Sequence, residues 1–494
     1  MSKPISPPLQ SPDSFGEQVR RAVIWRSASQ ILAQSVQWAA TFLVIRILDP
    51  QDYGLFAMTS VMMVFLNMLN GTGLASALIQ QSTVTKAEIR QLFGMLLALN
   101  AMLAITQFLA APLAAAYYRQ DQVVALLRVQ SLLYLTTPFI ALPGALLSRA
   151  MDFRHQARAN IAASFAGAST ALAGALLGFG VWTLVAAPLM LLAVRGGMMT
   201  WSARSLMWPS FDFRGSGQIA RFGGVLAAGQ LFWFLQSQAD VFIAGRHFSA
   251  HELGIYTTSL FLTQIFVAKF VPPLNEVAFS AYARIQHDEA AVARAFVRAA
   301  GIVMLVAMPF YVGLAATAEP LVLIALGEKW HEMAPVVRLL ALAMPFMTLN
   351  VLYTPACDAK NRPGIGVRNG AAGAAILAVC FLVGVRGGPA GLGYAWIVGY
   401  PLYLAVSTWR SLPVIGVRLR DLAAAVAPAV LASLAMGLVV RVTDLTLPPL
   451  ELHARFAALV IVGAVAYAAW LMVFAPATVR DSLAVIRLRR AQAD

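Results

Sequence analysis

Five polar residues recur along the first long apolar stretch of the chain: Arg26, Gln30, Gln34, Gln37 and Thr41. Steps of four and three put them on one face of a helix. In a bilayer such a stripe cannot face lipid, where unsatisfied polar groups are costly, so it is expected to line a cavity. Hydrogen bonding between helices would explain the glutamines as well. In a second stretch the stripe thins to Gln230, Ser237 and Asp240. Lys269 then lies deep in an apolar run, with Glu276 seven residues further along the same helical face. An ionisable group near the bilayer centre costs roughly 2.5–3.5 kcal/mol on insertion scales, so these positions carry information. Lys269 offers a cation for an anionic headgroup, and Asp240 and Glu276 offer carboxylates for ion coupling through H+ or Na+. A structural pair of Lys269 with Asp240 or Glu276 is the alternative. Arg46 and Arg246 stand at matching outer ends of apolar runs, as cavity cations or as side chains that snorkel to the interface.

Signals for covalent chemistry are absent. There is no Walker GK[ST] element, and Gly364-Ile365-Gly366 is followed by Asn369 where GxGxxG needs glycine. His247, His251 and Glu252 have helical ligand spacing without an HExxH context, so neither a metal nor another cofactor is expected. Cys357 and Cys380 fall in or beside apolar runs and offer no disulfide framework. The chain reads as no enzyme.

The elements that must position these residues follow from composition. Of 494 residues, 60% are apolar or aromatic and 12% charged, against about 25% charged in soluble domains. No water-soluble surface can be built from this, and the chain reads as an all-α polytopic membrane protein with about 14 transmembrane helices of about 20 residues. Spans are expected near 27–47, 55–80, 91–117, 124–148, 158–178 and 180–203. A second set lies near 219–245, 253–280, 299–325, 335–359, 366–385, 390–410, 422–441 and 456–475. The formal charge of +14 does not cluster with aromatics, so nucleic acid is not an expected partner. Instead Lys and Arg alternate between the connections, with 26 on one side, 8 on the other, and Lys269 and Arg338 within spans. By the positive-inside rule both termini are cytoplasmic. The proline-rich first residues hold no apolar core, so a cleaved signal peptide is not expected. Every connection is too short for a catalytic domain.

Residues 15–56 align without a gap on 215–256: Gln18, Arg21, Ala28, Gln30, Ala39, Phe42, Arg46 and Gly54 meet identical residues 200 further on. An even number of intervening spans makes the halves parallel repeats, two six-helix lobes with a site expected between them. The expected organisation is a tail over 1–26, one lobe over 27–210, a second over 211–411, two extra helices within 412–475 and a basic tail over 476–494. Gly71 and Gly73 interrupt the second span and Pro272 and Pro273 the eighth at the same offset, so both helices are expected to bend at matching depth and to act in gating.

The run Arg46-Ile47-Leu48-Asp49-Pro50-Gln51-Asp52-Tyr53-Gly54 and the segment from Gly71 to Gln80 resemble the opening of polysaccharide-biosynthesis flippases of the multidrug, oligosaccharidyl-lipid and polysaccharide exporter superfamily. The branch of colanic-acid and teichuronic-acid exporters is the nearest in appearance. Arg149-Ala150-Met151-Asp152-Phe153-Arg154, the run from Asp240 to Arg246, and Leu326-Gly327-Glu328-Lys329-Trp330 continue the resemblance. Asn70 departs from the acidic residue expected before Gly-x-Gly. The resemblance implies a bacterial inner-membrane protein that moves an undecaprenyl-diphosphate-linked oligosaccharide to the periplasmic leaflet by ion-coupled alternating access. Exopolysaccharide, capsule or O-antigen (lipopolysaccharide) synthesis is the implied setting, with a polymerase and chain-length proteins as further partners. A cation-coupled multidrug exporter on the same scaffold is the alternative, and a membrane glycan polymerase or ligase a more distant one.

Overall fold

A computed structural model of the chain describes residues 12–71, 84–212, 217–448, 450–477 and 480, without the side chains of 12–24, 26–28 and 217–230. Gly73 and the side chains of Arg26 and Gln230 therefore lie outside the described residues. Every regular element described is helical. The chain divides into two compact units, Met1–Phe234 with Ser249–Gly254, and Leu235–Phe248 with Ile255–Asp494.

The first unit is built on α1 (Pro12–Ile47), α2 (Pro50–Asn67), α3 (Lys86–Tyr118), the short helices α4 (Gln122–Gln130), α5 (Leu132–Thr136) and α6 (Pro138–Arg149), then α7 (Phe153–Leu176) and α8 (Val181–Ser202). The expected span over 124–148 is thus three helices in succession. Pro138 supplies no N–H to continue the preceding turn, and the Ser131 hydroxyl bonds back to the Arg128 carbonyl at 2.7 Å. Helix α7 packs along both α1 and α8, while α3 meets α6 through Leu92, Phe93, Leu96, Leu142 and Ala145. The connecting segment after α8 is strapped to α3, where Ser210 N donates to the Arg90 carbonyl at 2.9 Å and Arg90 Nε to that of Trp208 at 2.9 Å.

Helix α9 (Gly217–His247) runs from the first unit into the second. Beyond it come α10 (Ala250–Arg284), α11 (Glu289–Ala316), α12 (Ala318–Ala325), α13 (Met333–Val351), α14 (Tyr353–Ala359), α15 (Pro363–Gly384) and α16 (Gly388–Ile415). Two further helices, α17 (Leu419–Thr446) and α18 (Leu452–Phe474), complete the second unit. Helix α17 lies along α11, and α18 is held there by the Tyr467 hydroxyl, which donates to the Leu305 carbonyl at 2.7 Å. Arg455 at the start of α18 bridges Asp444 at 2.8 Å and Glu319 at 3.7 Å. Ten described helical segments are long and apolar enough to cross a membrane, with 363–415 counted as one although it holds α15 and α16. Large apolar side chains stand outward on them, Leu109, Leu113 and Val465 among others, as lipid-facing helices require. The chain is a multi-pass membrane protein.

The repeat has a structural counterpart at its helix starts. Helices α1 and α9 end at Ile47 and His247, and α2 and α10 begin at Pro50 and Ala250. The Asp52 carboxylate accepts from Asp49 N at 3.2 Å, and that of Glu252 from Ser249 N at 2.9 Å, so both starts are closed by capping boxes. The proposed interruptions behave differently. Helix α2 ends at Asn67, and Gly71 beyond it has φ +74°, in the left-handed region that suits glycine. Helix α10 instead runs through Pro272 and Pro273 without a break, so the expected matching interruption is not present in both copies. The two prolines remove two backbone donors, and thirty-five residues of helix carry the loss.

Gly54 and Gly254 bring the two starts together within the first unit. A β-carbon on Gly54 would overlap the Ala250 carbonyl, and one on Gly254 the Pro50 carbonyl. Neither neighbour can yield, because both are backbone. Gly54→Ala and Gly254→Ala are each expected to cost about 1–3 kcal/mol or more by overpacking, read as a lowered melting temperature of detergent-purified protein. An unchanged melting temperature for both would contradict this close approach.

Candidate functional site

Three of the five residues of the α1 stripe border a pocket, and Thr41 is not among its lining. Gln30, Gln34 and Gln37 border a pocket of about 390 Å³ in the first unit, together with Ser29, Ser148 of α6, and Gln156, Asn160 and Ser164 of α7. Leu191 and Arg195 of α8 close it. Gln156 Nε2 donates to the Gly144 carbonyl at 3.0 Å and meets Ser148 Oγ at 2.9 Å, which fixes that wall. Among the described residues no Asp or Glu borders the pocket. Arg195 Nε is enclosed and has no hydrogen-bond partner among the described residues. Among the described residues the site therefore offers amides and hydroxyls, each able to donate and accept, and the guanidinium of Arg195.

The second unit holds the opposite charge. Asp240 of α9 is 1% exposed. One carboxylate oxygen accepts from the Tyr256 hydroxyl of α10 at 2.6 Å, the other from Val241 N at 2.8 Å. Tyr256 in turn accepts from Trp396 Nε1 of α16 at 2.8 Å. Trp396 stacks on Tyr400, ring centroids 4.8 Å apart, and Tyr403 lies beyond. Two hydrogen bonds offset part of the cost of burying this carboxylate. Among the described residues no Lys, Arg or His forms an ion pair with it. The arrangement has no counterpart 200 residues earlier, where Ala40 and Phe56 stand in place of Asp240 and Tyr256.

The remaining sequence candidates fall elsewhere. Lys269 and Glu276 are both exposed positions of α10, and neither expected pair forms: Asp240 is turned inward to Tyr256, and Glu276 is two helical turns, about 10 Å, from Lys269. Arg46 and Arg246 sit in the last turns of α1 and α9, where a cation complements the helix dipole. Glu252 is a capping residue, bonded to Ser249, and His247 Nδ1 lies 2.9 Å from the Ile243 carbonyl of its own helix. Cys357 and Cys380 are free thiols on α14 and α15. Sequence reasoning missed Arg195 by assigning it to a connection, although it falls inside the span expected over 180–203. It also passed over Gln156, Asn160 and Ser164, whose four-residue spacing is the same signal that marked α1. Nothing in the local pattern marked Tyr256 or Trp396 among so many aromatics.

Comparison with known proteins places this geometry. A family model described as polysaccharide biosynthesis protein matches residues 43–335, more than half of the chain. The chain belongs to that family. It is 26% identical over 345 residues to the succinoglycan biosynthesis transport protein ExoT of Rhizobium meliloti (strain 1021), covering 70% of each chain. It is 22% identical to the teichuronic acid biosynthesis protein TuaB of Bacillus subtilis (strain 168), covering 69% of this chain and 71% of that one. Among solved structures, the lipid II flippase MurJ in an inward closed conformation superposes with a TM-score of 0.73 at 12% identity, over 92% of this chain and 100% of that one. An inward-facing multidrug resistance MATE transporter of the MOP superfamily gives 0.62 at 14% identity, over 80% and 98%. The family matches the resemblance read from the sequence, and the fold is that of MurJ and MATE transporters.

Replacing Tyr256 by Phe leaves one oxygen of a fully buried carboxylate without its donor. The expected result is a loss of about 1–3 kcal/mol in stability, measured by thermal unfolding in detergent, with a smaller loss for Trp396→Phe, which removes the outer bond. Equal stability of Tyr256→Phe and wild type would contradict the chain of bonds.

Proposed function

We propose that the chain is a flippase for a lipid-linked oligosaccharide, a secondary transporter without covalent chemistry. The substrate is an undecaprenyl-diphosphate-linked repeat unit, carried from the cytoplasmic to the periplasmic leaflet of a bacterial inner membrane, with both termini in the cytoplasm. The observation that carries the reading is the amide- and hydroxyl-lined pocket inside a helical bundle of a chain from the polysaccharide biosynthesis family. Such groups match sugar hydroxyls in both donor and acceptor roles. A polysaccharide polymerase and chain-length proteins are the partners that such a substrate calls for.

Asp240 is proposed as the coupling residue. Binding H+ or Na+ removes the net charge of a buried carboxylate, and releasing it restores that charge, so one cation biases two packings of the surrounding helices. The groups facing it are Tyr256, Trp396 and the Val241 amide, with Tyr400 stacked behind. Alternating access follows if the two packings open the site to opposite leaflets. Glu276 and Lys269, exposed on α10, are proposed as a further coupling group and a further binding group.

A cation-coupled multidrug exporter, the second reading, would need carboxylates around its substrate. The pocket of the first unit has none and places a guanidinium there, which repels organic cations. A glycan polymerase or ligase would need a substantial extramembrane catalytic region, and the described connections are short.

In a host deleted for the gene, the wild-type chain is expected to restore polymer export. Asp240→Asn is expected to reduce export by roughly 5–150-fold, the range of a 1–3 kcal/mol coupling, at unchanged membrane abundance. A protonophore that collapses wild-type export would assign H+, and a sodium ionophore with that effect Na+. Full export by Asp240→Asn would remove it from coupling.

A further inference from the structure

Arg195 is the feature of the first unit that the bundle itself leaves unexplained. It stands within α8, its Nε is enclosed without a hydrogen-bond partner among the described residues, and the pocket it borders holds no carboxylate. A guanidinium carries five N–H donors and stays charged, and an unpaired enclosed charge is unfavourable. Helix packing alone would select an apolar residue or an acidic partner here. The same pocket is bordered by Gln34 and Gln37 of α1, and Gln156 and Asn160 of α7. The cavity, about 390 Å³, is of the size that takes a small ligand.

We propose that Arg195 is the anchor of an oxyanion subsite, in which the guanidinium binds a phosphate or a carboxylate and the neighbouring amides bind hydroxyls of the attached sugar. The inference rests on the flippase reading insofar as it makes that anion part of the transported molecule. Two sources share the chemistry: the diphosphate that links glycan to lipid, and the carboxylate of an acidic sugar. Planar bidentate pairing suits both. Arg204, Arg214 and Arg221, which follow α8 in sequence, assign this end of the helix to the cytoplasmic side by the positive-inside rule, from which a substrate made in the cytoplasm would load.

The test uses the full chain in lipid nanodiscs and calorimetric titration with sodium pyrophosphate, sodium glucuronate and glucose as the neutral control. The wild type is expected to bind at least one of the two anions more tightly than glucose. Arg195→Gln is expected to weaken that binding about tenfold or more, and Arg195→Lys less, since it keeps the charge and loses the fork. Binding of pyrophosphate alone assigns the subsite to the diphosphate linker, and binding of glucuronate alone to an acidic sugar. If the wild type binds neither anion, or Arg195→Gln binds as tightly as wild type, the subsite is wrong. Restored polymer export by the wild-type chain alongside that negative result would leave the flippase reading standing. Arg195-dependent anion binding with no restored export would sink that reading and keep the subsite.

Discussion

An amide, hydroxyl or charge inside a bilayer finds its partner within the protein or within a water-filled cavity, because the hydrocarbon has nothing to offer it. Much of this chain obeys the first option. Gln107 is buried, donates to the Leu127 carbonyl at 2.8 Å and accepts from the Tyr134 hydroxyl at 2.9 Å. Asn100 donates to the carbonyls of Asn70 and Leu96, which fixes the turn where α2 ends. Against that background the enclosed groups that the helices do not neutralise stand out: the guanidinium of Arg195 in the first unit and the carboxylate of Asp240 in the second. Each is held by a different device, one in a cavity and the other in a chain of hydrogen bonds.

The matched segments 15–56 and 215–256 share some features and differ in others. Where the two copies must share backbone geometry, they have kept it. Capping boxes close α2 and α10 at the same register, and paired glycines let the carbonyls of Ala250 and Pro50 approach. Where geometry is free, they have diverged. Ala40 and Phe56 in one copy are Asp240 and Tyr256 in the other, and the glutamines at 34 and 37 become Phe234 and Ser237.

How much of this was legible depended on periodicity. Apolar runs bounded by charge and proline mark the long helices, because a spanning helix needs a long apolar stretch, but the run over 124–148 is three helices and the helix within the run over 55–80 ends at Asn67. The α1 stripe marked one wall of the pocket for the same reason, since a four-residue repeat of polar groups admits few explanations. The second wall, Gln156 to Ser164, carried the same repeat. The misplacement of Arg195 came from counting a charge near a helix end as part of a connection, where the positive-inside rule gives it a ready role. Tyr256 and Trp396 were invisible because their function depends on contacts 16 and 140 residues apart in sequence. The alternative reading, a pair of Lys269 with Asp240 or Glu276, does not form, because Asp240 is turned inward to Tyr256 and Glu276 is exposed.

The central claim is that this membrane bundle moves a sugar-bearing lipid and is driven by a small cation. It is tested most directly in proteoliposomes holding the purified chain and a labelled undecaprenyl-diphosphate-linked oligosaccharide, with the outer leaflet monitored by an added glycosidase under an imposed ion gradient. The account predicts that the label becomes accessible faster with protein than in protein-free vesicles, and faster still when the gradient is applied in the driving direction. Equal accessibility with and without protein would contradict it.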